Sequence, residues 1–226
     1  MKPTILDTDT AEKFWDRHWS GMTRPSSGNP SAALERLVAG RPAGRAVDLG
    51  CGRGDDAIWL ARNGWQVVAV DISQTALDTV RRSAETAGVV RQVTCLRHDL
   101  STTLPDGPFD LVLSMFTHTP LEFDRTALLR AAATLVAPGG LLLIAGHGSL
   151  APWAWSDPQI QLPTAQDVAD ALALFDWNMI EIADYPRDAR GPKGQVAQVL
   201  DCVTALERPS TASVQTYASG PVVTVD

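Results

Sequence analysis

The residues best suited to bind a ligand lie in one glycine-rich turn in the first quarter of the chain. The stretch 46–73 reads AVDLGCGRGDDAIWLARNGWQVVAVDIS, and its first apolar run breaks at Gly50, Gly52 and Gly54. Glycines at a strand-to-helix turn leave backbone N–H groups open to a negative or strongly polar group. A second apolar run ends in Asp71, where such βαβ units place an acidic residue on ribose hydroxyls. The pattern predicts a βαβ unit that binds a nucleoside.

The spacing of these glycines disfavours a dinucleotide. A G-x-G-x-x-G fingerprint that starts at Gly50 and Gly52 needs a third glycine where the chain has Asp55, and Asp56 follows it. These carboxylates would lie beside a pyrophosphate at the helix start and repel it. A nicotinamide-dependent oxidoreductase on a Rossmann fold is therefore the weaker alternative.

The pattern that the chain does have is Asp-x-Gly-x-Gly-x-Gly, with Asp48 two residues before Gly50. In this respect the chain resembles the class I S-adenosylmethionine-dependent methyltransferases. In that family the first acidic residue and the glycine loop hold the methionine part of the cofactor, and the acidic residue after the second strand holds the ribose. The resemblance implies S-adenosyl-L-methionine as the cofactor. The cofactor-binding residues that it implies are Asp48, Gly50, Cys51, Gly52, Gly54, Asp71, Ile72, Asp99, Leu100 and Ser114.

Further segments extend the resemblance over residues 30–207. VTCLRHDL (93–100) is similar to the third strand of the family, with Asp99 placed to meet the adenine amino group. FDLVLSMF (109–116) and LVAPGGLLLIAG (135–146) are similar to the fourth strand and to the turn and fifth strand. The resemblance implies an α/β fold, a Rossmann-like doubly wound, mostly parallel seven-stranded sheet with helices on both faces and an antiparallel final strand.

Composition restricts the partners. The formal net charge of −7 without a Lys/Arg cluster argues against a nucleic-acid substrate. Cys51, Cys95 and Cys202 are scattered and show no metal-ligand spacing, so we expect no metal and a reducing compartment. No apolar run reaches the roughly 20 residues that span a bilayer, and the first ten residues lack the pattern of a secretion signal. We expect a cytoplasmic protein that does not bind membranes.

The segment before the first strand has an aromatic side. Thr8 to Met22 is predicted as a helix with Asp9 as N-cap, and Phe14, Trp15, His18, Trp19 and Met22 share one side of it. We interpret residues 1–29 as a lid helix and linker, 30–207 as the S-adenosylmethionine-binding domain and 208–226 as a flexible tail with at most one strand, in PVVTV. Trp15 and Trp19 would cover the sulfonium and the acceptor, or they simply bury the helix on the domain.

Capping residues and periodicity predict the remaining elements. We expect one helix from Asn29 and Pro30 to Val38, one from Ser73 to Ala87 with Gly88 as the stop, and one from Asp124 to Val136. A further helix should begin at Thr164 and have an apolar face of Val168, Leu172 and Phe175. Two strands, Met179–Tyr185 and Val199–Leu206, should form an antiparallel hairpin.

Methyl transfer from a sulfonium is an in-line displacement, so positioning and exclusion of water dominate and a base is needed only for a protonated acceptor. His118 and His147, just past two strands at the ligand-binding edge, are the candidate catalytic residues, although either could serve only as a loop residue. Trp153 and Trp155 could line an acceptor pocket or cover the edge of the sheet.

The acceptor is predicted to be a small molecule. Residues 114–117 read SMFT, unlike the [DN]-P-P-[FY] motif of amino-directed DNA methyltransferases. The turn Trp19–Gly21 and the aromatic N-terminal helix are similar to the small bacterial methyltransferases of the tellurite-resistance and thiopurine group. A domain that binds the nucleoside without catalysis stays open as a further alternative.

Overall fold

The computed structural model describes residues 5–6, 9–22, 26, 28–154 and 160–210. In this part of the chain, seven strands form one sheet. The strands are β1 (Arg45–Leu49), β2 (Gln66–Asp71), β3 (Val93–Arg97), β4 (Phe109–Met115), β5 (Val136–His147), β6 (Asn178–Arg190) and β7 (Val196–Glu207). The helices are α1 (Ala11–Ser20), α2 (Ala32–Val38), α3 (Asp55–Arg62), α4 (Gln74–Ala87), α5 (Arg125–Thr134) and α6 (Ala165–Leu172), and a short 3₁₀ helix spans Val90–Gln92.

The strand order β3-β2-β1-β4-β5-β7-β6 confirms the predicted fold class. All pairs from β3 across to β5 are parallel, and β7 runs antiparallel to both of its neighbours. The order of the sheet reverses between β1 and β4. Open α/β sheets bind ligands in the crevice at the carboxyl ends of such strands, so this edge is where the site must be sought.

Successive side chains of β4 point to opposite faces of the sheet, and both faces are buried. Leu111 and Leu113 pack in the core layer that contains α2, α3 and α4, whereas Val112 packs in the layer that contains α5 and α6. A strand buried on both faces reads as a continuous apolar run, as FDLVLSMF does. The helices therefore hold the strand ends, and with them the ligand-binding edge, in fixed positions.

Local signals placed several helix ends correctly. Ser73 caps α4, its Oγ accepting from Ala76 N at 3.2 Å, and Gly88 ends the helix with φ +70°. Thr164 and Asp167 form a complete capping box at the start of α6. The predicted antiparallel hairpin is also present as β6 and β7, and both strands are longer than predicted.

Four predicted boundaries were wrong. The N-cap of α1 is Thr10, whose Oγ accepts from Lys13 N, and Asp9 instead pairs with Arg17. α2 begins at Ala32 after Ser31, two residues later than predicted.

The other two errors concern α5 and α6. α5 ends at Thr134 because Val136 already pairs with Phe109 in the sheet. Phe175 lies outside α6, which ends before Ala173 in the left-handed conformation, and the Phe175 side chain is 89% exposed. Thr8 and the predicted PVVTV strand lie outside the described residues.

The helix α1 docks on the N-terminal end of α4. Asp16 Oδ1 accepts hydrogen bonds from Ser73 Oγ at 2.5 Å and from Thr75 N at 3.1 Å. Glu12 forms an ion pair with Arg97, and the Phe14 side chain is buried. These contacts hold α1 over the carboxyl edge of the sheet.

The chain between α1 and α2 is tied to the start of α3. Asp55 Oδ1 accepts from Ser26 Oγ at 2.7 Å and from Gly28 N at 2.9 Å, and Asp56 Oδ1 accepts from Ser31 N at 2.6 Å. The two carboxylates that follow the glycine turn therefore hold the connection from α1. Within the described residues, no helix is long and apolar enough to cross a membrane.

We predict that Asp16→Ala loosens α1. Burial raises the pKa of Asp16, but the hydrogen bonds from Ser73 and Thr75 outweigh it and leave this pKa below its usual value. Asp16 thus stabilises the fold above its unfolded pKa, and this contribution, about 1 kcal/mol, is lost as the pH falls through the lowered folded value. Amide exchange in residues 11–20 should accelerate at pH 7. Ser20→Ala is the matched control, because the Ser20 hydroxyl bonds only to its own helix; equal exchange in both variants would contradict the docking role.

Candidate functional site

The glycine turn after β1 is built to approach a ligand closely. Gly50, Gly52 and Gly54 have φ of +77°, +52° and +80°, a region that L side chains rarely adopt. A Cβ on Gly52 would lie 3.0 Å from the Trp19 ring, and one on Gly50 would lie 3.0 Å from Thr117. Gly54 differs, because its Cβ would meet Val80 of α4 at 2.7 Å. Two of the glycines therefore keep space open at the ligand side, and the third permits helix packing.

A first cavity of about 160 Å³ opens at this turn, under α1. It brings together eight of the predicted site residues, which are Trp15, Trp19, Gly50, Asp71, Ile72, Asp99, Leu100 and His118. Phe116 and Thr117, which the sequence analysis did not single out, also line it. The residues come from the ends of β1, β2, β3 and β4 and from α1, so the cavity occupies the crevice that the strand order predicts.

Ser114 and Cys51, two further predicted cofactor residues, are not among the residues that line the first cavity. Ser114 Oγ donates to Thr117 Oγ1 at 3.1 Å, and Thr117 Oγ1 donates to the Leu49 carbonyl at 3.0 Å, so Ser114 positions Thr117. Burial and the nearby carboxylates of Asp71 and Asp48 raise the pKa of the Cys51 thiol well above its usual value. Cys51 is therefore a neutral small side chain, which suits packing beside a ligand and does not suit a nucleophile.

Two buried carboxylates make the first cavity a site for positive charge. Asp71 accepts from Gly52 N and from Ser73 N, both at 2.9 Å. Burial raises the pKa of Asp71 despite these bonds. Asp48 is 3% exposed, and burial followed by the charges of Asp56 and Asp71 raises its pKa well above the usual value. A bound cation would relieve this repulsion.

The first cavity also offers a donor. The Trp19 indole Nε1 is buried and has no hydrogen-bond partner among the described residues. A buried donor without a partner costs free energy unless a ligand satisfies it. Carboxylates and an open donor on the same cavity suit a ligand that carries both positive and negative groups.

A second cavity, of about 380 Å³, lies next to the first. The two share Trp15, Trp19, Phe116, His118 and Thr119, and the second adds His18, Pro120, His147, Leu150 and Ala154. Trp153 is not among the residues that line the second cavity, and its place in an acceptor pocket stays a prediction. Trp155 lies outside the described residues.

The two candidate histidines have different environments. His118 Nε2 accepts from His147 N at 3.2 Å, and burial, together with the charges of Arg125 and His147, lowers the pKa of His118 to about 4. His118 is therefore neutral at pH 7 and its Nε2 is occupied. His147 Nδ1 lies 3.8 Å from Asp201 Oδ1, and Asp201 binds Arg187 through both carboxylate oxygens, at 2.6 and 3.1 Å.

An unpaired positive charge lies behind the histidines. The Nε and Nη2 atoms of Arg125 are buried and have no hydrogen-bond partner in the described part of the chain, and burial lowers the pKa of this guanidinium. A Cβ on Gly146 would lie 3.2 Å from both Arg125 Nη2 and His118 Nε2. Arg125 therefore lies close to His118, which lines the second cavity.

The comparisons with known proteins support a class I S-adenosylmethionine-dependent methyltransferase. Residues 46–140 match the family model described as methyltransferase domain. The chain is 26% identical over 200 residues to thiocyanate methyltransferase 1 of Brassica oleracea, with 84% of this chain and 85% of that protein covered.

Other relatives match over a smaller part of their length. The chain is 32% identical over 132 residues to ribosomal RNA small subunit methyltransferase C of Alcanivorax borkumensis, covering 55% of this chain but 38% of that protein. It is 30% identical over 142 residues to the probable thiol methyltransferase 2 of Arabidopsis thaliana, covering 61% of this chain and 63% of that protein. The chain thus spans less than two thirds of most of the curated relatives it matches.

Solved structures share the fold. One, from work on the conversion of a disulfide bond into a thioacetal group during echinomycin biosynthesis, has a TM-score of 0.68 and 23% identity and covers 89% of this chain and 94% of that one. Geranyl diphosphate C-methyltransferase from Streptomyces coelicolor, in complex with S-adenosyl-L-homocysteine, has a TM-score of 0.60 and 14% identity and covers 89% and 99%.

The comparisons support S-adenosyl-L-methionine as the cofactor. It carries a sulfonium, an ammonium and a carboxylate, and the first cavity has Asp71 and Trp19 in its lining and the buried carboxylate of Asp48 nearby. We expect Asp71 to hold the ribose and Ile72, Asp99 and Leu100 to surround the adenine. The nicotinamide alternative is set aside, and Asp55 holds Ser26 and Gly28.

We predict that Gly52→Ala weakens the binding of S-adenosyl-L-methionine about ten-fold or more, because the added Cβ displaces the Trp19 ring from the cavity. Gly88→Ala is the matched control: Gly88 also has a left-handed φ, but a Cβ there meets nothing within 4 Å. Isothermal titration calorimetry on both folded variants measures the difference, and equal affinities would refute a ligand-side role for Gly52.

We predict a pH dependence that separates the cofactor from its product. The raised pKa values of Asp48 and Asp71 mean that the folded protein holds these protons more tightly than the unfolded chain, so the free protein loses stability as the pH rises through this range. A cation favours the ionised carboxylates. Affinity for S-adenosyl-L-methionine should therefore increase over the same pH range, and affinity for S-adenosyl-L-homocysteine, which lacks the sulfonium charge, should increase less. Parallel titrations of the two ligands with Asp48→Asn, which should flatten the difference, provide the check.

Proposed function

We propose that this chain transfers the methyl group of S-adenosyl-L-methionine to the sulfur of a small-molecule thiol. The observation that carries the proposal is the opposite charge of the groups beside two neighbouring cavities. Buried carboxylates lie beside the first cavity, and the Arg125 guanidinium, two of whose buried nitrogens have no hydrogen-bond partner among the described residues, lies beside His118 of the second. A cationic methyl donor and an anionic acceptor would each find the complementary field.

The cofactor supplies a methyl group on a positively charged sulfur that is a good neutral leaving group. The protein then has to hold the acceptor in line and exclude water. Phe116 and His118 lie where the two cavities meet, and Trp15 and Trp19 of α1 cover both. This arrangement supports the interpretation of α1 as a lid.

Sulfur acceptors agree with the relatives. The two plant proteins are named for thiocyanate and thiol methylation, and the structure with a TM-score of 0.68 comes from work on disulfide chemistry. A thiolate also gains from a fixed positive charge, because the nucleophile is the ionised form. These points favour a thiol over a hydroxyl or an amine.

A thiol that is protonated at pH 7 needs a base, and His147 is better placed than His118. The Nδ1 atom of His147 lies beside Asp201, which leaves Nε2 as the atom to accept a proton from a ligand in the second cavity. Asp201 would stabilise the imidazolium, and Arg187 holds Asp201 in place. In this proposal His118 only fixes the backbone at His147.

The proposal is tested with radiolabelled S-adenosyl-L-methionine and a panel of small acceptors: alkanethiols, aromatic thiols, phenols and primary amines, with RNA included because of the ribosomal relative. We expect methylation of thiols. Turnover confined to phenols, amines or RNA would overturn the sulfur assignment. Tight cofactor binding with no methylated acceptor would favour a domain that binds the nucleoside without catalysis.

We predict that His147→Gln lowers activity more for weakly acidic acceptors than for strongly acidic ones. For an alkanethiol, kcat/KM should fall about 100-fold, the usual contribution of a general base. For an aromatic thiol that is already ionised at pH 7, the fall should be only a few-fold. Asp201→Asn should also lower kcat/KM more for the alkanethiol than for the aromatic thiol, but by a smaller factor, because Asp201 acts through His147. Equal losses on both thiols would show that His147 packs against the acceptor and accepts no proton.

A further inference from the structure

A third cavity, of about 550 Å³, adjoins the proposed acceptor site. The start of α2 and the β6–β7 hairpin form its two walls, and Phe116 and His147, which also line the second cavity, lie on its floor. A thiol the size of ethanethiol would leave this space empty. The volume is that of pockets that hold drug-sized ligands.

The third cavity is lined by apolar residues at the sheet, and the charged residues at its rim are paired with each other or with a neighbour. Phe116, Ala145 and Val203 contribute apolar surface at the sheet. The two rim guanidiniums are neutralised: Arg36 pairs with Glu181 and lies 4.7 Å above the Tyr185 ring, and Arg187 pairs with Asp201. A free anion would gain little here, whereas an uncharged apolar body would bury its surface.

Phe116 joins the three cavities. Among the described residues it is the one that lines all of them. It has φ +53°, a conformation that costs free energy for a residue with a side chain, and its N–H donates to the Ala145 carbonyl at 2.9 Å. The fold therefore fixes the Phe116 ring between the methyl donor and both acceptor-side cavities.

We propose that the third cavity binds the body of the acceptor, so that the substrate is a thiol on an extended apolar, aryl-alkyl body. The thiol lies in the second cavity beside His147, and the body passes Phe116 into the space between α2 and the hairpin. This inference rests on the proposed sulfur methylation. It adds that an inorganic or very small thiol is a poor substrate because it leaves the third cavity unfilled.

The test fills the third cavity from its exposed edge. Ala32 lines the cavity and is exposed on α2, so Ala32→Trp places an indole in it without disturbing the core. Ala39→Trp is the matched control, because Ala39 is exposed beyond the other end of the same helix and does not line the cavity. Both variants are checked for unchanged melting temperature and unchanged affinity for S-adenosyl-L-methionine.

Methylation of ethanethiol and of 4-phenylbutanethiol is then compared, since the two thiols have similar acidity and differ in their bodies. We expect Ala32→Trp to raise KM for 4-phenylbutanethiol about ten-fold or more and to leave kcat/KM for ethanethiol within about two-fold, with Ala39→Trp like the unaltered protein. Equal effects on the two thiols, or no effect on the longer one, would overturn the proposal.

Direct binding separates this inference from the proposed function. Calorimetry of 4-phenylbutanethiol against the protein saturated with S-adenosyl-L-homocysteine reports occupation of the cavity without turnover. If the unaltered protein methylates neither thiol, the sulfur assignment fails. If it then also binds 4-phenylbutanethiol no more tightly than Ala32→Trp does, the third cavity is not a site for an apolar body.

Discussion

The site depends on one carboxylate, Asp71, at the end of β2. One oxygen accepts from Gly52 N of the glycine turn and the other from Ser73 N at the start of α4. Ser73 in turn caps α4 and donates to Asp16 of α1. A single hydrogen-bonded chain thus links the glycine turn, the sheet edge, α4 and the helix that covers the cavity. Such a network stabilises one arrangement of its members together and loses more than one contact when any member is removed.

This network has a consequence for the cofactor. Burial raises the pKa of Asp71, so the free protein holds a carboxylate under electrostatic penalty at the place where the ligand binds. Binding of a positively charged ligand relieves the penalty. Closure of α1 and binding of the cofactor are therefore expected to stabilise each other through Asp71, Ser73 and Asp16.

On the side where the acceptor is proposed to bind, a buried positive charge costs stability. Arg125 buries two guanidinium nitrogens without a partner in the described residues. A buried unpaired charge destabilises a protein, and replacement by an apolar residue often increases stability. Retention of such a charge between His118 and Gly146 is understandable if an anionic nucleophile has to be held nearby, since functional sites commonly reduce stability. The partition of negative and positive charge about Phe116 is thus the physical basis of the proposed reaction.

The sequence by itself determined the features that depend on neighbours along the chain. The glycine turn, the βαβ unit and the caps at Ser73, Gly88 and Thr164 follow from local backbone geometry and hydrogen bonds within a few residues. The prediction of Asp9 as N-cap failed because the Asp9 carboxylate pairs with Arg17, and Thr10 caps the helix instead. The resemblance supplied the fold class and five of the predicted residues that line the first cavity, whereas Trp15, Trp19 and His118 were predicted from the aromatic side of the N-terminal helix and from the strand ends.

Only the tertiary structure decided which residues act together. His118 and His147 have equal status in the sequence, and the structure distinguishes them because burial beside Arg125 keeps one neutral while Asp201 lies beside the other. Asp201 is 54 positions after His147 and reaches it only because β7 pairs with β5 in the register Asp201 to His147. The unpaired charge of Arg125 and the central place of Phe116 likewise carry no sequence signal, since burial and the absence of a partner are properties of the packed chain.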